Sequence, residues 1–105
     1  MKRYSIIHDL EEKTCLVCGA VGNTHIHEIF YGTANRKLSI KYGLCVNLCA
    51  RHHNEPPQGV HFNKTLDNKL KSFAQKKAMD YYGWTIDEFR RVFGKSYIYL
   101  EGENG

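Results

Sequence analysis

Two short ligand pairs constrain this chain more than anything else in it. Cys15-Leu-Val-Cys18 and Cys49-Ala-Arg-His52 each place two metal-seeking side chains two residues apart. Such a pair grips an ion from one turn, and zinc takes four nitrogen or sulfur ligands in a tetrahedron. The spacing therefore predicts one structural Zn2+ shared by Cys15, Cys18, Cys49 and His52, with a segment between the pairs long enough for a complete β-hairpin. Cys45 competes with Cys49. On one extended strand the two backbones would lie about 13 Å apart, at about 3.3 Å per residue, so both reach one ion only if the strand breaks. The two-residue spacing to His52 selects Cys49 and leaves Cys45 as a buried packing residue. The opposing reading has all four cysteines as reduced, small core hydrophobes.

A chain of 105 residues is expected to form one small domain, whose modest core a structural metal would supplement. The 42% hydrophobic and 25% charged residues are those of a folded protein. No apolar run is long enough to cross a bilayer. The opening MKRYSIIHDLEE lacks the apolar stretch of a secretory signal. The expectation is an intracellular protein in a reducing compartment, where cysteines serve metals more often than disulfides. The formal charge is only +4, but the basic residues crowd between Arg36 and Lys77, where Glu55 and Asp67 are the only acids. A basic middle between acidic ends suits a phosphate backbone, although a solvated lysine-rich helix face looks the same.

Local patterns predict the elements. Tyr4–Ile7 reads as a short strand, THIHEIF as a β-branched strand, and YGTANRKLSIKYG as a glycine-bounded loop with a helical turn near Ala34–Ser39. LCVNLC reads as a second strand running into a short helix at ARHHNE, which PPQG stops. From Thr65 to Tyr82, Leu66, Leu70, Phe73, Ala74, Ala78 and Tyr81 recur at helical spacing, with Gly83 as the stop. TIDE is a capping box opening a last helix that Gly94 closes, and SYIYLEGENG reads as an extended tail.

Five histidines are left once His52 is assigned to zinc, and four of them lie from the first strand onward. His53 lies about 100° further round the helix and faces elsewhere. His25 and His27 share one strand face with Glu28 on the other, and His61 follows the PPQG turn. A strand histidine, a helix histidine and a nearby carboxylate are enough for hydrolysis: one imidazole takes a proton from water while others hold a divalent ion.

Cys-x2-Cys, a histidine-bearing strand and then NLCARHHN together resemble the zinc-containing HNH endonucleases, or ββα-metal (His-Me finger) nucleases. The likeness is greatest to small bacteriophage versions related to phage recombination nucleases. HEIFYGTANRK, GVHFNK and FGKSYI extend it over most of the chain. The resemblance implies an α+β fold, with a zinc-stapled ββα-metal core and two additional C-terminal helices. On that pattern residues 1–14 form an arm, 15–61 the zinc-bound core, and 62–105 a helical extension and tail. It further implies that His27 is the general base, that His53 binds a catalytic Mg2+ or Mn2+, and that His61 completes that site. The asparagine that steadies loop and base in the family matches Asn47 or Asn35. Two departures stand out. Ile26 precedes His27 where an acid or histidine is usual, and Glu28 follows it, so Glu28 either supplies a metal carboxylate or exchanges roles with His27. His52 stands where many members have cysteine.

The expected activity is hydrolysis of DNA phosphodiesters with weak sequence specificity, in the cytoplasm of a bacterial host. Arg36, Lys37 and Arg51 would meet the backbone near the cut, and Lys64 with the lysines up to 77 would hold flanking phosphates. A recombinase or host protein is a possible further partner, and no membrane is expected. Two other classes compete: a non-catalytic zinc module that binds nucleic acid or protein, and a phage antagonist of a host defence. A redox role fits least, because Cys15 and Cys18 precede a glycine turn rather than open a helix.

Overall fold

The computed structural model describes residues 3–98. Within them the chain is a mixed α+β domain. A tight helical turn, Leu10–Glu12, precedes strand β1 (Thr24–Glu28), helix α1 (Thr33–Tyr42), strand β2 (Cys45–Cys49) and helices α2 (Ala50–Asn54), α3 (Lys64–Tyr82) and α4 (Ile86–Phe93). The strands pair antiparallel, with His27 opposite Val46 and Thr24 opposite Cys49. Alternation then puts His25 and His27 on one face with Val46 and Leu48. Ile26 and Glu28 share the other with Cys45 and Asn47.

Three predicted features come out differently. Tyr4–Ile7 forms no strand. The arm instead runs past α1 as an irregular segment, Tyr4 Oη donating to the Lys41 carbonyl at 2.7 Å and Ile6 N–H to that of Gly43 at 2.9 Å. The glycine-bounded loop expected to hold only a helical turn near Ala34–Ser39 is a ten-residue helix. Its anchor is polar: buried Ser39 donates to the Phe30 carbonyl at 2.7 Å and accepts from Phe30 N–H at 2.9 Å. Hydrophobic periodicity does not register such an anchor. The long helix matches its expected extent, with Asn63 as N-cap and Gly83 as left-handed C-cap. Its buried face is rotated, however. Phe73 and Tyr81 are exposed, whereas Asp67, Leu70, Ala74, Gln75 and Ala78 are buried. Three polar residues of this helix, Asp67, Ser72 and Gln75, are buried.

The predicted capping box holds α4: Thr85 Oγ1 accepts from Glu88 N–H at 3.1 Å, and Glu88 Oε1 accepts from Thr85 N–H at 2.8 Å. That helix packs Phe89 and Phe93 onto Phe30, with ring centroids 5.5 and 4.7 Å away. Tyr97 closes over Phe30 at 5.2 Å. Gln75 ties Tyr97 down, its Oε1 accepting from the Tyr97 N–H at 2.6 Å while its Nε2 donates to Ser96 Oγ at 2.9 Å. The rest of the expected tail, 99–105, lies outside the described residues.

Phe30 is fully buried at the centre of this cluster, directly after the residues that position the site. Phe30→Ala is expected to cost about 3–5 kcal/mol of stability, read from the urea unfolding midpoint.

Candidate metal centres

Local backbone structure prepares the first centre. Gly19 adopts a positive φ of 79° and closes a tight turn, its N–H donating to the Cys15 carbonyl at 2.8 Å. The N–H of Leu16 donates to the Asn47 carbonyl at 2.9 Å, which docks this turn against β2. Cys49 ends β2, and His52 lies on the first turn of α2. Cys15, Cys18, Cys49 and His52 consequently converge, with their ligand atoms within 4.8 Å of one another. Cys18 Sγ is 3.7 Å from Cys49 Sγ, and His52 Nδ1 is 3.5 Å from Cys49 Sγ and 3.9 Å from Cys15 Sγ. A tetrahedral zinc with its usual bond lengths separates two sulfurs by about 3.8 Å and sulfur from nitrogen by about 3.6 Å. The cluster is therefore compatible with structural zinc.

The Cys15 thiol supports the same chemistry. Burial works against its ionisation, but N–H groups of Cys49, Cys18 and Val17 donate to the sulfur and bring its pKa down to about 6. Cys45 behaves oppositely. It is fully buried at the far end of the strand pair, opposite Glu28, and burial and then the Glu28 charge push its thiol up to about 12. It packs beneath Ser39, donating weakly to that carbonyl at 3.9 Å.

A second group stands beside the first. His27 on β1, His53 on α2 and His61 after the turn bring ligand atoms within 4.8 Å of one another. Their ring centroids lie 5.1–5.4 Å apart. Because His52 and His53 are consecutive, one turn of helix serves both groups. His61 arrives through a sharp return in which Gly59 N–H donates to the Glu55 carbonyl at 2.7 Å and Val60 N–H to that of His52 at 2.9 Å. A Cβ on Gly59 would stand 2.7 Å from the Glu55 nitrogen and 2.9 Å from that of Asn54, so the return needs glycine.

Burial, followed by neighbouring charge, disfavours protonation of His27 and His53. Burial, then the charges of His53, His61 and Lys71, push the His27 pKa down to about 3. His27 Nε2 is buried with no hydrogen-bond partner. The His53 pKa is also lowered, by burial first and then by His61 and His25. His25 Nδ1 lies 2.9 Å from His53 Nδ1, one nitrogen donating to the other, which fixes the His53 ring and leaves its Nε2 for another task.

The other residues singled out by sequence lie as follows. Glu28 is outside the histidine group, ion-paired to Arg3 and 3.9 Å from Arg36 Nε. Asn47 sits on the strand face opposite His27, its Nδ2 donating to the Leu10 carbonyl at 2.8 Å while its N–H donates to His8 Nε2. It holds the arm rather than touching His27. Asn35 lies on the first turn of α1. Arg36 and Lys37 are exposed on α1 and line a surface cleft there. Arg51 is exposed on α2, and Lys64 is exposed at the start of α3 beside His61.

Sequence reading missed a network that backs the histidines. Tyr31 Oη donates to Asp67 Oδ2 at 2.9 Å, and Lys71 Nζ pairs with the same oxygen at 3.0 Å. Lys71 Nζ also sits 4.2 Å over the Tyr31 ring, whose edge contacts reach His61 at 5.2 Å and His27 at 5.7 Å. The only sequence signal was the four-residue spacing of Asp67 and Lys71 on a helix, which usually marks a solvated pair. Comparisons with family models, curated proteins and solved structures gave no match for this chain.

Two outcomes follow from these placements. Cys49→Ala is expected to abolish stoichiometric zinc, whereas Cys45→Ala keeps it, as read by elemental analysis of the purified chains. Gly59→Ala is expected to weaken Co2+ binding at the histidine group about 10- to 100-fold, the loss typical of a disturbed ligand support, with the zinc content unchanged. Visible absorption of the titrated cobalt complex reads that change.

Proposed function

We propose that this protein is a nuclease of the ββα-metal (His-Me finger, HNH) type, which hydrolyses phosphodiester bonds in DNA. One observation carries the reading: His27, His53 and His61 converge from strand β1, helix α2 and a loop, beside a Cys3His cluster that joins the first knuckle to the end of the paired strand β2 and to the same helix. Zn2+ in the cysteine-rich group is the staple. The histidine group would hold a second divalent ion, which would supply Lewis-acid stabilisation of charge at a phosphoryl group. With imidazoles alone as donors, that group suits a first-row transition ion better than Mg2+, which prefers oxygen ligands.

The chain's own residues divide the work. His53 and His61 hold the ion, and His25 orients His53 through its hydrogen bond. His27 is the general base: neutral at physiological pH, it offers a buried, unoccupied Nε2 to the proton of an attacking water. Arg36, Lys37, Arg51 and Lys64 are exposed cations suited to backbone phosphates, so binding is salt-sensitive and weakly specific. The resemblance to phage recombination nucleases adds a place in DNA recombination or processing within a bacterial host.

Plasmid nicking with added Mn2+ or Mg2+ tests this. His27→Ala and His53→Ala are each expected to lower the rate by about 100- to 10,000-fold while zinc content stays unchanged. Retained Mn2+ affinity in His27→Ala marks that residue as base; lost affinity marks it as a third ligand. A wild-type chain that binds DNA but never nicks it, with either ion, overturns the reading in favour of a zinc-stapled binding module.

A further inference from the structure

A small cleft opens next to the histidine group, lined by Tyr31, Val60, His61, Phe62, Lys64 and Asp67, with a volume of about 260 Å3. That falls below the roughly 300–1,000 Å3 of sites that enclose a whole small-molecule ligand, so the cleft suits one planar ring system. Its composition is particular. Phe62 follows His61 directly, yet its side chain is 59% exposed, an unusual place for a large aromatic ring. Lys64 adds an exposed cation. Asp67 is 8% exposed, and its Oδ1 is a buried acceptor with no donor. An ionised oxygen in that position is costly unless something supplies a hydrogen bond.

We infer that this cleft receives an unpaired nucleotide adjacent to the scissile phosphate, and so directs the protein to DNA with a locally single-stranded base. The inference rests on the nuclease reading for the identity of its ligand. An aromatic ring gains from stacking only on a free base face, which a base inside continuous duplex does not offer. Phe62 supplies that platform and Lys64 the adjoining phosphate contact. Asp67 borders the same cleft, its other carboxylate oxygen held by Tyr31 and Lys71. Because His61 belongs to both the cleft and the histidine group, a nucleotide seated there leaves its neighbouring phosphate at the site of cleavage.

Fluorescence anisotropy with labelled oligonucleotides tests the inference at one fixed salt concentration and without added Mn2+ or Mg2+. The probes are a continuous duplex and the same duplex carrying one unpaired nucleotide. Wild type is expected to bind the interrupted duplex more tightly. Phe62→Ala is expected to lose about 5- to 150-fold of that affinity, with continuous-duplex affinity within about twofold of wild type. Phe62→Trp, which keeps a stacking surface, retains the preference. Equal binding of both probes by wild type, or an undiminished preference in Phe62→Ala, overturns the inference. Nicking by the same preparations separates the two readings. Preference without cleavage sinks hydrolysis and keeps the cleft, and cleavage without preference does the reverse.

Discussion

The clamp formed by Cys15, Cys18, Cys49 and His52 is the constraint on which the remaining geometry depends. Its parts are weak separately. A two-stranded sheet is marginal by itself, and a helix of five residues such as α2 is far too short to form alone. Joining the first knuckle to the end of β2 and the start of α2 fixes a strand end, a helix start and a distant turn with one set of bonds. Once His52 is held, the direction of His53 follows from helical rotation alone. The second group inherits its precision from the first.

What His27 gains in that second group is a buried setting with a cation nearby. His27 is buried on the sheet face that packs inward, and the Tyr31–Asp67–Lys71 network stands behind it. Buried charge pairs are costly to assemble and more costly to break. Here the pair fixes an aromatic ring against two of the three histidines and leaves a positive charge near His27. Burial and that positive charge both suppress protonation of His27, so the two effects act in the same direction.

Much of this was readable from residue order, for physical reasons that differ by element. The knuckles announce themselves because ligand spacing is dictated by an ion of fixed size. The ends of α3 and α4 announce themselves because glycine stops and the Thr85–Glu88 box are local backbone chemistry. Helix α1 was hidden because a buried serine docks it, and the inward face of α3 was misjudged because Asp67 and Gln75 occupy it where apolar residues were expected. The Tyr31–Asp67–Lys71 contact joins residues far apart in sequence, and no periodicity reports a long-range polar pair. The arm's extended pattern did not pair as a strand because β1 and β2 pair with each other, leaving it to pack over Gly43.

The two clusters differ in donor chemistry, and that difference would provide the sorting of ions between them. Thiolates in the first suit zinc in a closed four-ligand site, while the second offers imidazoles alone. Cys45 strengthens the sorting by its position. Its thiol is buried and held protonated opposite Glu28, at the end of the strand pair remote from Cys49, so it does not draw zinc from the staple. His52 and His53 then carry the whole division of labour across one peptide bond. A shift of α2 by a single residue would carry His53 into the place of His52 and Asn54 into that of His53, leaving the second group short of a ligand.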